Sequence, residues 1–142
     1  MTTQTQTITD SKTITLAQLG VGYWGPNLLR NFSALPGCHV KYAVDFSAER
    51  RSFIQANFPK TTAIDNAHQV FEDPEVNAVI IATPAATHFA LAKQALAAGK
   101  HVFVEKPLAT REAEVDELAA DAAPKKLVIM VGHTFTYNAA VR

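Results

Sequence analysis

The glycine triplet in Gly20-Val21-Gly22-Tyr23-Trp24-Gly25 constrains this chain more than any other feature, because of what flanks it. Before it, Thr13-Ile14-Thr15-Leu16-Ala17-Gln18-Leu19 alternates and is rich in β-branched residues, which predicts a strand. After it, Pro26-Asn27-Leu28-Leu29-Arg30-Asn31-Phe32 spaces apolar groups as a helix does and opens on proline, which suits a first helical turn. Strand, glycine triplet and helix in that order can receive a pyrophosphate. The first glycine permits a tight turn, the second lets backbone approach the anion, and the third lets helix pack closely on strand. The helix N-terminus adds unpaired N–H groups.

A second feature joins the first. Cys38-His39-Val40-Lys41-Tyr42-Ala43-Val44 reads as the next strand and ends at Asp45, which lies 45 − 25 = 20 residues past the third glycine. A carboxylate at that distance can accept both hydroxyls of an adenosine ribose and repels a 2′-phosphate. NAD is therefore the expected cofactor, with NADP disfavoured. Arg50 and Arg51 temper that preference, since either could reach a phosphate. The alternative for Asp45 is the N-cap of the following helix, a role also open to Ser47.

Further along, Ala48 to Phe58 predicts a helix ended by Pro59, with a short strand at Thr61 to Ile64 and a short helix at Ala67 to Phe71. Val76 to Ala82 is a nearly continuous apolar run, as in a strand buried on both faces. A helix over Ala85 to Ala98 ends at Gly99, followed by a strand at His101 to Val104, a helix at Arg111 to Ala123 and a strand at Leu127 to Val131. Such alternation predicts an α/β fold, a Rossmann-like doubly wound parallel sheet covered on both faces. One domain of this kind fits the 142 residues.

In such sheets the ligand lies beyond the carboxyl ends of the strands, so the residues just past each apolar run are the candidates. They are Thr83-Pro84-Ala85-Ala86-Thr87-His88, Glu105-Lys106-Pro107 and Gly132-His133-Thr134-Phe135. Thr83 and Thr87 are equally placed to cap a helix, and His88 to bond a neighbouring backbone group. Glu105 and Lys106 could form a surface ion pair, which would be worth little. Lysine before proline at a strand end points further, because proline stiffens the turn and holds the lysine in place.

The formal net charge is zero and no basic cluster occurs, so nucleic acid is not an expected partner. Cys38 is the only cysteine, which excludes an internal disulfide and fits a reducing, cytoplasmic setting. The first twelve residues, rich in Thr and Gln, carry no apolar run; they are expected to be a disordered tail, neither leader nor membrane anchor. No metal site is expected.

Gly20-Val21-Gly22-Tyr23-Trp24-Gly25, Asp45, Ala82-Thr83-Pro84 with His88, and above all Glu105-Lys106-Pro107 resemble the N-terminal domain of the Gfo/Idh/MocA oxidoreductases. The resemblance runs over roughly residues 13 to 142. Tyr23-Trp24 and the stretch from Gly132 to Asn138 are similar to the branch that oxidises nucleotide-linked sugars. The resemblance implies that the glycine triplet, with Tyr23 and Trp24, holds the pyrophosphate side and Asp45 the ribose. It implies that Thr83, Pro84 and His88 line the nicotinamide half, that Glu105 approaches the nicotinamide ribose, and that Lys106 donates to the reacting oxygen, with His133 on the substrate side. The implied domain plan is a tail at 1–12, a Rossmann domain at 13–133, and at 134–142 the start of a connection to a second family domain that is absent. The implied function is hydride transfer between a nicotinamide cofactor and a sugar or nucleotide-sugar hydroxyl, poor in this chain alone. A homo-oligomer, or a partner supplying the second domain, is expected. The alternative is a non-catalytic NAD(P)-binding module, a sensor or partner subunit.

Overall fold

The computed structural model describes residues 12–140. Its single sheet contains β1 Ile14–Leu19, β2 Cys38–Val44, β3 Thr62–Ile64, β4 Ala78–Ile81, β5 His101–Glu105 and β6 Ile129–Gly132. All pairings are parallel and the spatial order is β3-β2-β1-β4-β5-β6. The chain therefore winds outward from β1 in one direction, then from β4 in the other. The crevice between β1 and β4 is the switch point at which such sheets bind ligands. Five helices cross between the strands: α1 Gly25–Ala34, α2 Ala48–Asn57, α3 His68–Glu72, α4 His88–Ala97 and α5 Glu112–Ala122.

Side chains alternate across the strands, so each strand feeds both faces of the sheet. On one face Ala17, Leu19, Val79, Ile81, Val102 and Val104 pack with Val70 of α3, Leu96 of α4 and Leu118 of α5. On the other, Leu16, Val40, Ala43 and Ile80 meet Leu28 and Leu29 of α1 and Ile54 of α2. This is the doubly wound α/β sheet that the alternating pattern predicts. The second face is thinner toward β6, where Val128 and Met130 remain exposed.

Most element ends fall within a residue of expectation, and two strands start later for a hydrogen-bonding reason. The strand expected from Val76 begins at Ala78, because the Thr15 N–H goes to the Asn77 side chain at 2.9 Å. The strand expected from Leu127 begins at Ile129, because the Val128 N–H donates to the His101 ring at 3.0 Å. The helix expected over 85–98 divides into a 3-10 turn, Ala85–Thr87, and α4. Residues 1–11 of the expected tail lie outside the described residues. Thr134–Tyr137 form one 3-10 turn, and residues 141–142 are again outside them.

The loop entering β4 is tied down by charge. Lys100, 3% exposed, donates from Nζ to the carbonyls of Asp73 (2.7 Å) and Val76 (2.9 Å), and burial pushes its ammonium below the usual lysine range. The Asp73 carboxyl is held down at about 2, first by the Lys41 ammonium at 2.6 Å and then by the Glu75 N–H. Among the described residues no helix is long and apolar enough to cross a membrane.

Candidate functional site

The carboxyl ends of β1, β2 and β4 enclose a cavity of about 630 Å³. Gly20, Gly22, Asp45, Phe46, Thr83, Pro84 and Thr87 are among the residues that line it. Gly20, Gly22, Asp45, Thr83, Pro84 and Thr87, all candidates from the sequence, thus meet in one cleft at the switch point.

The three glycines differ in what requires them. Gly20 has φ +88, and a Cβ there would lie 2.7 Å from the Ala82 carbonyl oxygen, so both conformation and the closeness of β4 exclude a side chain. A Cβ at Gly25 would lie 2.7 Å from the Gly20 carbonyl oxygen, which reflects helix α1 packed against the loop. At Gly22 a Cβ meets nothing within 4 Å. Among the described residues nothing gives that glycine a steric reason, and its open side is where an approaching anion would need room.

Beneath the loop lies a residue that the sequence reading missed. Gln18, in β1 and fully buried, donates from Nε2 to the carbonyls of Gly20 (3.0 Å) and Gly25 (2.8 Å). One amide thus joins both ends of the glycine turn. Its Oε1 is buried without a partner among the described residues. The one available signal was a glutamine on a strand buried on both faces, where a polar side chain requires internal partners.

Asp45 is fixed by backbone on two sides. Its Oδ2 accepts from the Val21 N–H and its Oδ1 from the Ser47 N–H, both at 2.9 Å. Ser47, not Asp45, caps α2, accepting from the Arg50 N–H at 3.3 Å. Each carboxylate oxygen retains a lone pair, so the group can still accept from ribose hydroxyls. Arg51 is turned onto the carbonyls of Asp45 (3.0 Å) and Phe46 (2.9 Å).

At the β4 end, the Thr87 hydroxyl donates to the Pro84 carbonyl, 2.7 Å away, and lies 2.7 Å from the Thr83 hydroxyl. Thr87 has one proton and the carbonyl only accepts, so Thr83 is the donor of the pair. Neither threonine caps α4 through its side chain, contrary to the capping alternative. His88 is 1% exposed and does not line the cavity. Its Nδ1 lies 2.7 Å from the Pro107 carbonyl oxygen and its Nε2 2.7 Å from that of Thr83, so the ring bridges the exits of β4 and β5. The alternative of a backbone bond is what the geometry provides. Both carbonyls accept only, so the neutral ring can donate to one and the imidazolium to both.

At the β5 end, Glu105 and Lys106 form no ion pair with each other, and the Lys106–Pro107 peptide bond is cis. The Glu105 carboxylate lies over Gly132 of β6, with Oε1 buried and unpartnered among the described residues. Lys106 and His133 are exposed at the same edge of the sheet. Tyr23 (96% exposed) and Trp24 (45%) stand on the glycine loop and, like Glu105, Lys106 and His133, do not line the cavity. Among the described residues no group of three or more His, Cys, Asp or Glu could hold a metal ion.

Comparison with known proteins identifies the family and the fold. The family described as "Oxidoreductase family, NAD-binding Rossmann fold" (GFO_IDH_MocA) matches residues 14–133. UDP-N-acetylglucosamine 3-dehydrogenase of Acidithiobacillus ferrooxidans is 32% identical over 129 residues, covering 87% of this chain and 38% of its own. GenD2 from gentamicin A biosynthesis, solved in complex with NAD, is 30% identical with a TM-score of 0.85, covering 90% of this chain and 36% of its own. A variant of KijD10, a 3-ketoreductase from Actinomadura kijaniata solved with TDP-benzene and NADP, is 25% identical with a TM-score of 0.83, covering 89% and 39%. The chain spans less than two fifths of the length of each of these relatives.

Proposed function

The chain belongs to the GFO_IDH_MocA family of oxidoreductases, with an NAD-binding Rossmann fold, and on that premise we propose that its cleft holds NAD for hydride exchange with a sugar or nucleotide-sugar hydroxyl. Gly22 carries the reading. Its open face, in a loop otherwise crowded, supports a ligand that comes up against backbone.

Gly20, Gly22 and Gly25 would hold the pyrophosphate, with Tyr23 and Trp24 at the rim. Asp45 would accept from the adenosine ribose and disfavour a 2′-phosphate, giving NAD preference over NADP. Thr83 and Pro84 would face the nicotinamide half, shaped from behind by His88, and Glu105 would approach the second ribose. The bound nicotinamide supplies the hydride acceptor or donor. Lys106 handles the proton: its Nζ, as ammonium, donates to a carbonyl oxygen that becomes a hydroxyl, and as amine takes the proton back in reverse. His133 would stand on the substrate side. A sugar substrate is supported by the dehydrogenase relative named above, and further residues around it would come from an oligomer or another domain.

Calorimetric titration tests the cofactor half. NAD should bind more tightly than NADP, and Asp45→Ala should weaken NAD and narrow the gap; equal affinities in the unmodified chain would refute the preference. A turnover assay with NAD and nucleotide sugars tests the chemistry. Lys106→Ala should keep cofactor affinity and lose any turnover by about 10²–10⁴-fold, as removal of a proton-handling group does. Turnover undiminished in that variant would remove Lys106 from the mechanism.

A further inference from the structure

Arg51 stands in the first turn of α2, half-buried. Its Nη1, with two hydrogens, donates to two successive carbonyls, Asp45 at 3.0 Å and Phe46 at 2.9 Å. Among the described residues no carboxylate pairs with it. The same short loop is fastened at Asp45 Oδ1 by the Ser47 N–H and at Oδ2 by the Val21 N–H. Phe46, between them, lines the cleft while remaining 88% exposed.

An arginine six residues past a ribose-binding acid invites assignment as a reader of the 2′-phosphate. The geometry points to the opposite task. We propose that Arg51 is a positioning residue for cofactor choice, which grips the Asp45 and Phe46 carbonyls, steadies the Asp45 carboxylate at the cleft wall and thereby favours NAD. This inference rests on the reading of the cleft as a dinucleotide site. The orientation of a carboxylate on a two-bond side chain follows the peptide that carries it. Two bonds to one guanidinium nitrogen stop that peptide from rotating, and Asp45 keeps its bond to the glycine turn. With Nη1 engaged by the two carbonyls, a 2′-phosphate would reach Arg51 only through Nε and Nη2, and would face the Asp45 charge as it did so.

The two roles differ in the sign of their effect. Arg51→Met keeps the aliphatic stem and removes the donors; Arg51→Lys keeps the charge but not the planar fork. The unmodified chain and both variants are titrated with NAD and with NADP by calorimetry, with thermal melts as a control for folding. Arg51→Met should bind NAD about 3–10-fold more weakly, the scale of one or two modest hydrogen bonds, with little change for NADP. The preference narrows, and Arg51→Lys falls between. A selective loss of NADP affinity in Arg51→Met would make Arg51 a phosphate reader and overturn the inference. So would unchanged affinities, or an equal loss of both with a lowered melting temperature. If the unmodified chain binds neither dinucleotide, the reading of the cleft falls and this inference with it; if it prefers NAD and Arg51→Met does too by the same margin, only the inference falls.

Discussion

Glu105 and Gly132 face each other across β5 and β6, and the glycine makes room for the carboxylate: a Cβ at residue 132 would lie 2.9 Å from Oε1 and 3.2 Å from Cδ. The third nearest atom is the tip of the Phe103 ring, also at 3.2 Å. All three belong to the ends of side chains that can shift. Gly132→Ala should therefore fold, displace Glu105 and weaken NAD, with a small fall in melting temperature. Calorimetry beside a thermal melt checks this; full NAD affinity would show that the position of Glu105 does not matter to the cofactor.

Gly20 and Gly22 should respond in contrary ways to the same substitution. Gly20→Ala forces a side chain into φ +88 against the Ala82 carbonyl, a backbone obstacle, and should cost at least about 1–3 kcal/mol of stability. Gly22→Ala should leave the denaturation midpoint where it is and reduce dinucleotide affinity. A destabilised Gly22→Ala would mean that the fold itself needs that glycine.

Gln18→Leu removes the amide that joins the two ends of the glycine turn. The Gly20 and Gly25 carbonyls each lose one hydrogen bond, worth about 0.5–1.5 kcal/mol apiece, partly offset by removing an Oε1 that has no partner among the described residues. The urea midpoint should fall, and an unchanged or raised midpoint would show that the turn holds without help from β1.

Acid stability should depend on Asp73. Its folded value, about 2, lies below the ordinary 3.8, so its contribution is complete above about pH 4 and is lost as pH falls toward 2. Asp73→Asn should lower stability at neutral pH and flatten the pH dependence across that window, read as melting temperature from pH 2 to 6. An equally steep acid limb in the variant would move the effect to other carboxylates.

Val128, Met130, Phe135 and Tyr137 expose apolar surface around β6, while Val131, between them, is half-buried. Surface of this kind favours association between copies of the chain. Light scattering should show mass rising with concentration, less so for Met130→Lys. A constant monomer mass would leave the patch without that role.

The parts of the site carried by local pattern were legible in the sequence. The glycine triplet needs only a strand before it and a helix after it, and Asp45 needs only the length of one βαβ unit, so spacing finds both. The doubly wound sheet follows from alternation of strand and helix. What spacing cannot find are groups whose partners are distant or belong to the backbone. Gln18 looks like a solvent-side residue until both faces of β1 are seen to be covered. Arg51 looks like a free cation until its carbonyl partners are known. His88 bonds to Pro107, 19 residues away, and no pattern in the intervening helix announces it. The late starts of β4 and β6 have the same origin, since Asn77 and His101 take backbone donors with their side chains.

The bond between Asp45 and the Val21 N–H has a kinetic consequence. It ties the β1 turn to the β2 exit through the protein's own groups. A dinucleotide would then meet a cradle already shaped, with no slow ordering of the loop between encounter and capture. The observed association rate should climb in proportion to ligand concentration without levelling off, and selectivity among dinucleotides should be written mainly in how long each one stays.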